Sequence, residues 1–243
     1  MNLALLFVVV LVSYMVNATT GFGGSMIAVT VGIHLYSIEL LVPIMVLLNL
    51  AISIYIVIRH HDGIDYRLLL RRMLPLAGLG LPVGIVIFSV AKTTTLNTAL
   101  GIFVICFSVF ELAILLKKGE EAVREPMSLA QSFFWLFSGG VLHGMYASGG
   151  PLVIYYASRN IPEKRAFRST LSALWLALNA GLLTVYLATG KFTSESARMT
   201  VALLPALAIG IAIGEWLHNK LPDKGFRVLI YSVLLVAGIS VFL

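Results

Sequence analysis

The chain has 243 residues, of which 59% are hydrophobic and 12% charged, with 17 Lys and Arg against 11 Asp and Glu and one cysteine. A soluble domain of this length carries about a quarter charged residues, so a mean hydropathy of +0.98 excludes that class and indicates an all-α polytopic membrane protein. Cys106 alone excludes internal disulfides and multi-cysteine metal sites. The net charge of +6 lies in short loops between apolar runs, a pattern that sets topology and makes no nucleic-acid footprint.

The first apolar run, residues 3–16, has no basic residue ahead of it and reads as part of the mature fold rather than a leader. It enters the stretch NATTGFGGSMIAV (17–29), which contains a second short run at 25–35. Runs at 39–58, 68–90 and 96–116 follow, each long enough to cross a hydrocarbon core of about 30 Å. The same order then returns. Short runs at 128–142 and 151–158 flank HGMYASGGPLVIY (143–155), and spans at 166–188, 200–217 and 225–243 complete the chain. As helices, the first two short runs reach only about 21 and 17 Å. Each short pair is therefore expected to form a re-entrant hairpin, with a full double crossing as the alternative.

Either arrangement sorts the basic residues the same way. Arg59, Arg67, Arg71, Arg72, Lys117, Lys118, Arg124, Arg159, Lys164, Arg165, Arg168, Lys220, Lys224 and Arg227 fall on one side. Only Lys92, Lys191 and Arg198 fall on the other. The Lys/Arg excess marks the inner side, so both termini are expected outside.

Aligning the halves at an offset near 130 matches Asn49 with Asn179, Pro75 with Pro205, Gly80 with Gly210 and Gly84 with Gly214. At an offset of 126, Gly23 and Gly24 meet Gly149 and Gly150, and Asn17 meets His143. The chain thus divides into repeats at 1–120 (hairpin 3–35) and 121–243 (hairpin 128–158), each a hairpin plus three crossings. Three is odd, so the copies have inverted topology, an arrangement typical of secondary transporters with a midplane site.

Non-helical backbone survives at membrane depth only when buried in protein or lining a watery cavity. The glycine pairs allow a sharp turn, and helices restart at Ser25 and Pro151, offering free N–H groups and a partial positive charge to an anion. The expected substrate-binding residues are Thr20, Gly23, Gly24, Ser25, Asn49, His143, Tyr146, Ser148, Gly149, Gly150, Arg168 and Asn179. Simple close helix packing is the competing reading for the glycines, and it suits Gly78, Gly80, Gly84, Gly210 and Gly214. Asn49 and Asn179 either hold the hairpin backbone or touch the ligand. His143 either donates to an anion and carries a proton or is structural. Arg168 is either a counter-charge to the cavity or an interfacial anchor beside Arg165. Glu111 and Glu215 near segment ends are read as snorkelling, and the RHHDG loop at 59–63 is assigned no metal.

With GFGGSMIAV, ASGGPLVIY, the loop IDYR and the run RAFRSTLSALWLALN (165–179), the sequence resembles the TauE/SafE family of sulfite exporters over almost its whole length. The resemblance implies a secondary transporter, not an enzyme. Its substrates would be small sulfur oxyanions or organosulfonates, moved by alternating access across a prokaryotic cytoplasmic (inner) membrane. Other small anions, a channel, and a membrane enzyme using His143, Tyr146 and Ser148 are the rivals. No cofactor is expected. The partners expected are a small anion and the lipid bilayer, with a coupling proton and a homodimer left open.

Overall fold

A computed structural model describes residues 2–20, 23–117, 127–218 and 223–242, and these form helices without strands. Helix α1 (Asn2–Thr20) leads through Gly23 into the short α2 (Gly24–Gly32). Ser37, extended at φ −65° and ψ 149°, precedes α3 (Ile38–His60), whose first turn carries Glu39 and whose last turn carries Arg59 and His60. That charge order follows the helix dipole. Helix α4 (Tyr66–Val90) begins where the Asp65 carboxylate accepts from Leu68 N–H at 2.9 Å, and it widens into a π turn at Leu69–Met73. Helix α5 (Thr93–Lys117) closes the first half.

The second half opens with α6 (Leu129–Tyr146), started by a reciprocal cap between Ser128 and Gln131. Then come α7 (Gly150–Asn160), α8 (Lys164–Ala188), α9 (Ser194–His218) and α10 (Asp223–Ser240).

Helices α1, α3, α4, α5, α8 and α9 are each long and apolar enough to cross a membrane. Their outer faces expose Leu79, Val86 and Val90 on α4, Ile102 and Val109 on α5, and Val201 and Ile209 on α9. The interior buries Ser13, Thr30, Asn49, Ser53, Ser172 and Asn179. A water-soluble fold arranges these classes the other way round, so the chain is a multi-pass membrane protein.

Helix lengths depart from the sequence reading at the breaks. The run expected to stop at residue 16 continues to Thr20. There Thr19 turns its hydroxyl back, donating to Met15 O at 2.7 Å and to Gly214 O at 3.0 Å, which hides the polar group that interrupts the apolar pattern. With 19 residues α1 is about 28 Å long, nearly a full crossing, whereas the nine residues of α2 reach about 14 Å. Likewise α6 continues past residue 142 to Tyr146, and α7 has only 11 residues. Each break therefore joins one long arm to one short arm. Of the last expected span, Tyr231–Ser240 is apolar helix.

Four interfaces organise the bundle: α1 against α9, α4 against α6, α3 against α8, and α5 against α10. The first two rest on glycines. A Cβ on Gly84 would lie 2.0 Å from Val141 O and one on Gly80 2.1 Å from Phe137 O. A Cβ on Gly214 would lie 2.4 Å from Met15 O and one on Gly210 2.7 Å from Leu11 O. Backbone thus meets backbone where any side chain would force the helices apart, the close approach that small residues allow in lipid.

Candidate functional site

The two glycine stretches meet in the interior. Between them lies a cavity of about 30 Å³, counted as room for the centre of a water-sized sphere. From the first break it is lined by Asn17, Gly23 and Ser25, and from the second by His143, Ala147, Ser148, Gly149 and Gly150. Helix α3 contributes Asn49, Ile52 and Ser53, and α8 contributes Trp175 and Asn179.

Backbone conformation builds the two breaks differently. Gly23 takes the left-handed region at φ 86° and is the residue before α2. On the other side the left-handed residue is Ala147, at φ 50° and ψ 28°. An L-residue with a Cβ pays roughly 1–2 kcal/mol for that conformation, so surrounding bonds must hold it. They do. The Ala147 carbonyl accepts from Ser25 Oγ at 3.0 Å and from Asn49 Nδ2 at 3.3 Å. The Asn49 amide is oriented in turn by Tyr14, whose hydroxyl donates to Asn49 Oδ1 at 2.9 Å. One carbonyl in the second break is therefore clamped by the first break and by α3.

Both short helices start without a side-chain cap. Among the described residues, Ile27 N–H is the first in α2 to bond back, to Gly23 O at 3.0 Å, and Val153 N–H does so in α7, to Gly149 O at 3.4 Å. The earlier N–H groups of each first turn are left for other partners, and Pro151 has none to satisfy. Gly149 N–H donates to His143 Nδ1 at 3.3 Å. The His143 ring stacks on Trp175, with centroids 5.2 Å apart and planes 14° apart.

Gly23, Ser25, Asn49, His143, Ser148, Gly149, Gly150 and Asn179 are thus gathered around one cavity. Gly24 stands beside it, packed against α1, where a Cβ would fall 2.7 Å from Asn17 Cβ. The side chain of Thr20 lies outside the described residues. Two expected residues are placed elsewhere. Tyr146 donates its hydroxyl to Leu96 O at 2.9 Å, tying α6 to α5. Arg168 pairs through Nη2 with Glu215 Oε1 at 2.8 Å, and the pair is not part of the lining.

Ile52, Ser53, Ala147 and Trp175 were not singled out from the sequence. Ser53 follows Asn49 by four residues and Trp175 precedes Asn179 by four, so each shares a helix face with an asparagine that was. That spacing was the available signal.

The chain matches the protein family described as sulfite exporter TauE/SafE over residues 5–241. No curated protein and no solved structure matches it.

Proposed function

The chain belongs to the TauE/SafE family of sulfite exporters, and from that membership and the central cavity we propose a secondary transporter that holds a small sulfur oxyanion between the starts of α2 and α7. One observation carries the reading: a single cavity receives both chain breaks, each delivering an uncapped helix start. Such starts favour an anion by about 0.3–1 kcal/mol apiece, more where partly buried. The cavity has room for about two water molecules, which suits a four-atom oxyanion. A longer organosulfonate needs it to widen.

Alternating access follows from an inverted repeat, with units at 1–120 and 121–243. Reciprocal packing supports it. Gly210 and Gly214 of the second unit meet Leu11 and Met15 of the first as Gly80 and Gly84 meet Phe137 and Val141. These partners are related by the two offsets that align the sequence halves. In this reading α1 with α2 and α6 with α7 are re-entrant pairs, the basic loops face the cytoplasm and both termini lie outside the inner membrane.

The test is counterflow in proteoliposomes. Labelled sulfite uptake should saturate and accelerate when unlabelled sulfite is loaded inside, whereas a channel shows no acceleration. Ser53→Leu, which fills the cavity without removing any of the hydrogen bonds described, should abolish flux while the protein remains folded. Undiminished flux in Ser53→Leu would refute the site.

A further inference from the structure

Two residues that line the cavity carry a hydrogen-bond donor and an acceptor on buried side chains. Because Gly149 N–H donates to His143 Nδ1, the neutral ring carries its proton on Nε2. That atom has no partner, and His143 is 2% exposed. Asn179 commits Nδ2 to Trp175 O at 2.8 Å, which leaves Oδ1 without a partner in a residue that is 0% exposed. The two side chains lie close enough for Asn179 to act on His143 as a weak hydrogen bond would, yet Nε2 and Oδ1 do not reach full hydrogen-bonding geometry, and a ligand must part them. Buried polar atoms left in this way are costly, and a ligand that satisfies both gains accordingly.

Charge sets a second limit. Among the described residues, His143 is the one titratable side chain in the lining. Neither Tyr156 on α7 nor Tyr186 on α8, whose buried hydroxyls have no partner, belongs to the lining, and other ionisable groups of the surrounding elements are engaged elsewhere. Tyr14 on α1 donates to Asn49, Tyr146 on α6 to Leu96 O, and Arg159 on α7 to the Tyr155 hydroxyl. On α8 and α9, Arg168 is paired with Glu215, and His60 at the end of α3 stands beside that pair. The site therefore offers helix-start dipoles and no fixed cation. Dipoles of that size suit one negative charge, while a second would be buried without compensation.

We propose, resting on the transporter reading above, that the site takes its oxyanion as a singly charged species that still carries a proton. His143 Nε2–H donates to an oxygen of the ligand, and the ligand's own proton is donated to Asn179 Oδ1. For sulfite this selects hydrogensulfite over the dianion. The proton stays on the ligand throughout.

The experiment is titration calorimetry on the purified full-length protein with sulfite below and above its own titration, and with chlorate at both pH values. Chlorate is pyramidal and singly charged like hydrogensulfite but has no proton to donate, so the ratio of the two affinities cancels any titration of the protein. At the lower pH sulfite should bind at least about tenfold more tightly than chlorate, since an unmatched buried acceptor discriminates by that much or more. At the higher pH the advantage should disappear. Asn179→Leu should bring the ratio of hydrogensulfite to chlorate affinity down to about one. If that variant does not fold, the wild-type ratio decides. A ratio that does not change with pH, or equal weakening of both anions in N179L, would overturn the inference and leave the transporter reading standing. Failure of every anion to bind, together with absent sulfite flux, would overturn both.

Discussion

The α4–α6 crossing allows a sharp test because its geometry leaves so little room. In Gly84→Ala the new Cβ would stand 2.0 Å from Val141 O and 2.9 Å from Gly144 Cα, whereas ordinary contact begins near 3.4 Å. The obstructing atoms are backbone and cannot swing aside, so the helices must part by roughly 1.4 Å or bend. Overpacking of this kind costs about 1–3 kcal/mol. At roughly 2–4 °C per kcal/mol for a chain of this size, thermal unfolding in detergent should fall by roughly 2–12 °C. The strain also reaches the cavity, because Gly144 adjoins His143, so anion affinity should drop with stability. Gly78→Ala on the same helix is the control. Its Cβ would meet nothing within 4 Å, and removing a helical glycine should be neutral or gain about 0.5–1 kcal/mol. If G84A and G78A unfolded at the same temperature, the close-approach account of this interface would be refuted.

Two further outcomes are expected. Tyr14→Phe removes the hydroxyl bonds to Asn49 Oδ1 and, at 3.4 Å, to Met45 O; it should cost about 1–2 kcal/mol in thermal unfolding and slow sulfite flux by loosening the Asn49 bond to Ala147. In a Cys106→Ala background, a membrane-impermeant maleimide added to intact cells should label Ser194→Cys and not Arg72→Cys, both positions being exposed on the protein. The reverse labelling would invert the proposed sidedness.

Much of this architecture is legible in the sequence, because lipid imposes a simple rule on length and hydropathy. The spans expected at 39–58, 68–90, 166–188 and 200–217 all fall inside helices α3, α4, α8 and α9. The ends at the breaks were misjudged for a physical reason. Asn17, Thr19 and Thr20 look like a loop to any hydropathy reading, but Thr19 satisfies itself on Met15 and Gly214 and lets α1 continue. The glycines and the two asparagines that line the cavity were readable from the ordered residue matches between the two halves of the sequence. Tyr146 was not separable from its neighbours, since nothing in the order of residues reveals that its hydroxyl reaches Leu96 O. Arg168 was open between two roles, and its pairing with Glu215 depends on α8 and α9 both packing against α3. Ala147 carried no signal at all: alanine does not advertise a left-handed backbone, and only the two bonds to its carbonyl account for it.

The pairing of α1 with α9 has a consequence for biogenesis. Thr19 finds its second acceptor, Gly214 O, 195 residues further along the chain, and the short α2 touches α10. Helix α1 is therefore made well before α9, the helix it packs against. A product terminated before α9 would leave the face of α1 that carries Thr19 uncovered in the bilayer, a ready handle for the cell's quality-control proteases.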